Sequence, residues 1–402
     1  MTPLFRTALV LGLLSAVGPF TIDMYLPAMP AIEADLQTNV AATQMTLTAY
    51  FLAFGISQLF YGPLADQVGR KPPIYLGMGI FILGSVGCAL APTIGWLTAF
   101  RVLQGLGAAA VMVIPRAIIR DMHTGAQATR LMALLMLVIS VSPMLAPLAG
   151  SGMLVFGSWR LIFWTLCIAA LVSLVLTYNF QPETLRPENR VKVNLRSLAH
   201  GAGVLLRDPV FMGLTFVGGF GMASFFVFIA SASFVYTQQF GLSPTAFSLA
   251  FAVNALGFIG ASQFAGPLGE RYGIVALLRW AVAGFAVFST ILLALAAAGL
   301  ASLPVIIVML ILANACLGLV IPTTMVMALD AHGDIAGLAS SLGGTLQMLA
   351  GGAMITLSGP FFDGTALPMI AAIAVCSWIA MLLALWVLPR VSRAEQTASP
   401  AT

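Results

Sequence analysis

A carboxylate, Asp23, and a guanidinium, Arg101, each stand inside a long apolar run of this 402-residue chain, and no other ionisable pair of opposite sign is so placed. Putting either charge into such surroundings costs several kcal/mol, on the order of 3 or more, so both are functional candidates by default. Surrounded by apolar groups, a carboxyl prefers to keep its proton, and an approaching guanidinium favours giving it up. A carboxylate beside a movable cation can therefore take up and release a proton. Counted along a helix, Asp23 lies about 12 Å from the outer end of its run near Ala31, and Arg101 about 9 Å from the start of its run at Gly95. The two depths agree. Arg101, Gln104, Gly105 and Ala108 also fall on one helical stripe running from polar to small, which suits a wetted lumen.

The elements that must hold these residues follow from composition. The chain is 60% hydrophobic and 7% charged, whereas a soluble domain carries roughly 25% charged residues. Its solvent must be lipid. Runs of about 20 apolar residues are the unit that crosses a bilayer, and twelve are read: 7–31, 43–63, 73–92, 95–119, 130–153, 159–179, 209–234, 244–268, 274–297, 302–326, 335–358 and 366–389. Alternation at strand period is absent, which excludes an outer-membrane barrel. Arg6 before an apolar run is also the pattern of a signal peptide, but the Asp inside that run and the eleven runs after it favour a retained first span.

Basic residues set the orientation. With the N-terminus in the cytoplasm, 15 of the 17 Lys and Arg fall on cytoplasmic segments, Arg160 and Arg101 being the exceptions. The net charge of +4 is thus a topological signal and not a nucleic-acid patch, and both termini are expected in the cytoplasm. Cys88, Cys167, Cys316 and Cys376 all lie within spans, with neither disulfide nor metal spacing, and read as small apolar fillers. His123, His200 and His332 read as solvated residues of cytoplasmic segments.

Residues 180–208 form the one long polar stretch and hold eight of the 30 charged residues, with six spans before them and six after. The expected organisation is a bundle over 1–180, a cytoplasmic linker over 181–208, a second bundle over 209–392 and a tail over 393–402. "GPLADQVG" at 62–69 recurs as "GPLGERYG" at 266–273, pairing Gly62 with Gly266, Pro63 with Pro267, Asp66 with Glu270 and Gly69 with Gly273. A weaker echo pairs "VIPR" at 113–116 with "VIPT" at 320–323. Copies in the same orientation imply a parallel repeat, with two six-helix bundles related by a pseudo-two-fold axis along the membrane normal.

These residues also carry a family resemblance. "GPLADQVGRK" resembles the loop 2–3 motif of the major facilitator superfamily at Gly62, Asp66, Gly69, Arg70 and Lys71. "IDMYLPAMP" at 22–30 resembles the first-helix signature of its twelve-span drug:proton antiporters of the bicyclomycin-resistance (Bcr/CflA) type, and "RVLQGLGAA" at 101–109 the helix 4 motif. "SPMLAPLAG" at 142–150 resembles the antiporter motif of helix 5, with Ala146-Pro147 where Gly-Pro is usual; "SWRLIF" at 158–163 and "PETL" at 182–185 also fit. The resemblance spans the whole chain. It implies an all-α membrane protein with the twelve-helix major facilitator fold, acting as a monomeric drug:proton antiporter of the bacterial inner membrane. It implies protons, a drug-like small molecule and the lipid bilayer as partners, and no cofactor beyond the proton gradient.

What the motifs would do follows from the same resemblance. Asp66 would dock on the N-terminus of span 11, whose partial positive charge favours a carboxylate by about 0.3–1 kcal/mol, and so latch the halves on the cytoplasmic side. Gly62 leaves room for that approach, Arg70 orients Asp66, Arg120 joins the cluster, and Glu270 repeats the device on helix 5. The facing stretch, from Ala336 to Gly344, is suitably rich in small residues. Pro143, Pro147 and Gly150 would bend span 5 at the seam and seal it against proton leak, an ordinary membrane-helix role for these residues standing beside that one. Spans 1 and 4 line the central cavity of this fold, so Asp23 and Arg101 could meet there, Asp23 carrying the proton in competition with substrate and Arg101 tuning its affinity. Tyr25, Tyr50, Phe54, Gln104, Phe220, Phe225, Asn254, Gln347 and Met348 lie on cavity-lining spans, and their aromatic and flexible character suits loose binding of amphipathic molecules.

Other classes fare worse. An intramembrane enzyme needs paired acids, a nucleophile with its base or a metal cluster, and an ATP-driven pump needs a glycine loop with its Lys; the sequence holds none of these. A proton-coupled importer or a facilitator of a small metabolite is the nearer alternative.

Overall fold

The structure is a computed structural model that describes residues 3–123, 125–190, 195–330 and 332–398. Lys192 of the basic set and the last residues of the tail lie outside the described residues. Fifteen α-helices follow one another among the described residues: α1 (Pro3–Asp23), α2 (Met29–Asp35), α3 (Val40–Val68), α4 (Lys71–Ala89), α5 (Ile94–Met122), α6 (Gly125–Phe156), α7 (Arg160–Phe180), α8 (Leu195–Arg207), α9 (Pro209–Phe234), α10 (Pro244–Ser262), α11 (Ala265–Tyr272), α12 (Ile274–Ala297), α13 (Leu303–Asp330), α14 (Ala336–Ser358) and α15 (Ala366–Ala398). Helix is what lipid dictates, because it satisfies every backbone group within the segment.

The starts are written locally. Asn39 caps α3 by accepting from the Ala42 N–H at 2.9 Å, and Thr93 caps α5 by accepting from Trp96 at 3.3 Å. Asp208 caps α9 ahead of a proline at the first helical position, where a missing N–H costs nothing.

Among the described residues, eleven of the spans are long and apolar enough to cross a membrane. The eleventh span in order, α14, is not among them: its Gly, Ser and Thr dilute its apolarity, yet its 23 residues reach about 34 Å, more than a hydrocarbon core of about 30 Å. Large apolar side chains such as Phe60, Leu83, Val155, Trp280 and Leu382 are exposed, as a lipid-facing surface requires.

Two expected spans are interrupted. Span 1 is not one rod: α1 stops at Asp23, a 3-10 turn covers Leu26–Ala28, and α2 resumes at Met29. Pro27 and Pro30 account for the interruption by each lacking the N–H that an α-helical ladder would use, while Met29 before Pro30 keeps helical dihedrals at φ −55° and ψ −44°. Span 8 is likewise split into α10 and α11 around 263–264. The C-terminal end of span 7 changes pitch into a π-helical turn at Val235–Gln239. By contrast α6 runs on through both Pro143 and Pro147.

The chain forms two compact units. One comprises residues 1–194 with 242–252, the other 195–241 with 253–402. In the first, close approach is made by glycines. A Cβ on Gly105 of α5 would lie 2.4 Å from the Tyr50 carbonyl of α3, and one on Gly107 would lie 2.3 Å from the Gly77 carbonyl of α4. The start of α10 belongs to this unit, where the Ser248 hydroxyl donates to the Pro147 carbonyl at 2.9 Å. Trp159 and Arg160 at the start of α7 both donate to Asp35 at the end of α2, at 2.9 and 2.7 Å, which gives "SWRLIF" a structural role. In the second unit, a Cβ on Gly318 of α13 would lie 2.3 Å from the Phe258 carbonyl of α10, and Ser289 and Ser377 join α12 to α15 at 2.7 Å.

Candidate functional site

The break in span 1 creates the site. At the end of α1 the Phe20 carbonyl still accepts from the Met24 N–H, and the next carbonyl, Thr21, accepts from Arg101 Nη1 at 3.3 Å. The same nitrogen donates to Gln104 Oε1 at 3.0 Å, and Gln104 Nε2 in turn donates to Ser85 at 2.8 Å. The guanidinium lies over two rings, Tyr25 at 4.6 Å and Tyr50 at 4.4 Å. Each tyrosine is itself tied, Tyr25 to the Thr46 hydroxyl at 2.6 Å and Tyr50 by donating to the Gly18 carbonyl at 3.3 Å. Tyr50 also stacks on Phe54, with centroids 6.0 Å apart. Arg101 is fully buried, and its Nε and Nη2 have no hydrogen-bond partner. Flanking aromatic faces make such a cation tolerable, because ring quadrupoles attract it most strongly where water is excluded.

Asp23 is also buried, but its partner is not Arg101. The Ser142 hydroxyl of α6 donates to Asp23 Oδ2 at 3.1 Å. Among the described residues Arg101 has no carboxylate within ion-pair distance. The expected meeting of the two charges is therefore corrected: the tyrosine pair holds the guanidinium, while the carboxylate turns to α6. Gly150 makes that arrangement possible, since a Cβ there would lie 2.2 Å from the Met24 carbonyl. The helix 5 motif thus supplies both the hydroxyl that meets Asp23 and the glycine that lets α6 press on the break. Ser142 is the first letter of that motif, so a signal for it was present in the sequence.

The remaining candidate cavity residues separate by unit. Tyr25, Tyr50, Phe54 and Gln104 gather around Arg101. Phe220, Phe225, Asn254, Gln347 and Met348 belong to the second unit. There Phe225 stacks on Phe258 at 6.2 Å, Asn254 is buried, and Gln347 lines a narrow cavity of about 60 Å³ between α9, α13 and α14.

The loop 2–3 motif builds a second polar centre within the first unit. Gly69 adopts φ +104°, a left-handed conformation that favours glycine. A Cβ there would also meet Glu183 Oε2 at 2.7 Å. Arg70, 6% exposed, pairs with Asp66 at 2.5 Å and with Asp121 through both Nε at 2.7 Å and Nη2 at 3.1 Å. Glu183 of "PETL" accepts the backbone N–H groups of Arg70 at 2.9 Å and Lys71 at 3.0 Å, capping α4 from 112 residues away. Burial alone would raise the Glu183 carboxyl. The N–H groups of Lys71, Arg70 and Leu185 outweigh it and hold the group below its ordinary value. Arg120 is exposed, and the residue of that turn which enters the cluster is its neighbour Asp121. Within this unit a Cβ on Gly62 would meet only Val113, at 3.9 Å. The second copy differs: Glu270 is exposed and makes no ion pair among the described residues, because Ile274 and Val275 stand where Arg70 and Lys71 stand in the first.

Comparison with known proteins decides the family. The sequence pattern of the Major Facilitator Superfamily matches residues 11–355. The chain belongs to the major facilitator superfamily. As a member it is a transporter and not an enzyme. It is 35% identical over 377 residues to the MFS-type transporter YdgK of Bacillus subtilis (strain 168), covering 93% of each chain. It is 30% identical over 383 residues to the bicyclomycin resistance protein homolog of Haemophilus influenzae, covering 94% of this chain and 95% of that one. It is 29% identical over 367 residues to multidrug resistance protein D of Escherichia coli (strain K12), covering 87% of each. The crystal structure of a D-xylose-proton symporter aligns with a TM-score of 0.74 at 16% identity, over 96% of this chain and 97% of that one, which shows the shared superfamily fold.

Proposed function

We propose that this superfamily member exports drug-like small molecules across the bacterial inner membrane in exchange for protons, with both termini in the cytoplasm, acting as a monomer and using no cofactor. The observation that carries this reading is the buried Asp23, held by Ser142 of the helix 5 motif at the break in span 1. A hydroxyl can donate to the carboxylate or accept from the carboxyl, so both protonation states of Asp23 keep a hydrogen bond there. Arg101, lying over Tyr25 and Tyr50, supplies fixed positive potential nearby without neutralising the carboxylate in an ion pair. Asp23 takes the proton, substrate competes with it, and alternating access carries each across in turn. Loading and release need a bistable transporter, and the loop 2–3 cluster is its latch: Asp66, steadied by Arg70, docks at the start of α14 when the cytoplasmic side closes.

Relatives named for bicyclomycin and multidrug resistance favour export over uptake of a metabolite. Everted membrane vesicles carrying the chain test the direction. An exporter accumulates drug inside them when respiration acidifies the lumen, and an ionophore that collapses the pH gradient stops it. Accumulation that survives the ionophore, or drug uptake in right-side-out vesicles under an inward proton gradient, would favour the facilitator or importer instead.

A further inference from the structure

His332 joins four helix ends in the second unit. Its backbone N–H donates to the Leu329 carbonyl at the end of α13, and its carbonyl accepts from Ile335 at 3.0 Å in the turn that opens α14. Its Nε2 lies 2.8 Å from Asp208 Oδ2. Asp208 in turn ends α8, through its own N–H to Val204 and Leu205, and begins α9, accepting from Val210 at 2.9 Å and Phe211 at 3.2 Å. The carboxylate therefore receives three donors. Because an ionised carboxylate only accepts, Nε2 must carry a hydrogen, and Nδ1 is the atom where a further proton arrives.

The surroundings make this more than a surface pair. The side chains are only 14% and 24% exposed, and the imidazole stands edge-on to the buried Phe211 ring at 5.7 Å. Phe211, Thr215, Thr324, Ser340, Gly343 and Gln347 line the narrow cavity between α9, α13 and α14. The linker helix α8 is seated on the same corner, with Leu205 buried and a Cβ on Gly201 reaching Leu338 of α14 at 2.8 Å. The charged groups around His332 are few. Asp208 faces it from the start of α9, which holds no other ionisable residue. Arg196, His200 and Arg207 lie on α8, Asp330 and Asp334 flank it in the chain, and α14 contributes none.

We propose that the Asp208–His332 pair is a proton-responsive clasp that binds the linker helix to the starts of α9 and α14 and slows transport when the cytoplasm acidifies. Neutral imidazole gives the carboxylate an ordinary hydrogen bond, and imidazolium gives a charge-assisted one about twice as strong. A tighter clasp stiffens the corner from which α14 emerges, and repacking such helix ends is part of alternating access. The placement of this corner in the cytoplasm rests on the orientation proposed above.

Two measurements on the full chain test it. Melting temperatures in lipid nanodiscs are compared for the wild type, His332→Gln, Asp208→Asn and the double variant between pH 5.5 and 8. Glutamine keeps a neutral donor, and asparagine keeps the helix cap. The gap between wild type and His332→Gln should widen as pH falls, and should vanish when Asp208→Asn is present in both. In everted vesicles at a fixed gradient, the two proteins should transport equally at pH 8. At pH 6 on the cytoplasmic face the wild type should be about threefold slower than the variant, as expected when one bond roughly doubles in strength. A gap that is constant with pH would reduce the pair to a static structural contact and overturn the clasp. A widening gap with identical transport profiles would overturn its regulatory role. Melting reads the pair whether or not the chain moves drug, so failure of drug export and failure of the clasp are told apart.

Discussion

Arg101 is held by shape as well as charge: a planar guanidinium lies over two rings 4.6 and 4.4 Å away and can stack on them, which a compact lysine ammonium cannot. Arg101→Lys keeps the charge and should still cut transport about tenfold or more, the effect of losing ~1.4 kcal/mol of positioning energy. Initial rates of drug-dependent proton movement check it, and a rate within twofold of wild type would mean that charge alone suffices. The burial of Asp23 and Arg101 was legible in the sequence, because two charges in apolar runs leave few innocent explanations. Their partners were not. Ser142 lies 119 residues from Asp23, and Thr21 lies 80 from Arg101. Nothing in local spacing could tell an ion pair from a guanidinium lying over two tyrosine rings.

Among the elements, the interrupted span 1 and the loop between α3 and α4 do the positioning. Pro27 and Pro30 announced an interruption that hydropathy alone smoothed over, since a break flanked by apolar residues leaves the run's average unchanged. Gly150→Ala places a Cβ against the Met24 carbonyl and should destabilise the protein by about 1–3 kcal/mol, the usual cost of overpacking, seen as a lower melting temperature. The Glu183 clamp on α4 is pH-dependent with a definite sign. Its folded-state pKa is depressed, so its contribution is complete above the unfolded carboxyl value of about 4.3 and is lost as pH falls through the lower folded value. Hydrogen exchange at the Arg70 and Lys71 amides should therefore be slow at pH 6 and become fast only as pH falls through the depressed folded-state value of Glu183, after correction for intrinsic rates. Glu183→Gln should raise it at neutral pH. The Asp66–Arg70 pair is half solvent-facing and contributes little to stability, about 0–1 kcal/mol. Asp66→Asn should thus leave melting nearly unchanged while sharply reducing transport, and Glu270→Gln, which breaks no ion pair, should cost less. Equal losses from the two copies would assign both charges to membrane insertion alone.

At the scale of the whole molecule, twelve spans, a parallel repeat and a polar linker were readable because lipid imposes length and apolarity on every crossing. What the repeat concealed is its asymmetry. The first copy of the loop motif is locked by Arg70, Asp121 and Glu183, while the second keeps the turn, with Gly273 at φ +83°, and loses the cluster. The N-terminal bundle therefore holds both the proposed proton site and the built loop, and the C-terminal bundle holds the remaining candidate cavity residues and the His332 corner. Reporter tags at either terminus and within 181–190 should read as cytoplasmic, and one near Asn39 as external. An external linker would reverse every assignment of side. The central claim is that Asp23 carries the exchanged proton, and drug-coupled proton release in proteoliposomes measures it most directly, on wild type and Asp23→Asn matched for amount and for drug binding. The account predicts that the variant still binds drug but releases no proton on binding and shows no efflux driven by a pH gradient. Full gradient-driven efflux with undiminished proton release in Asp23→Asn would contradict it.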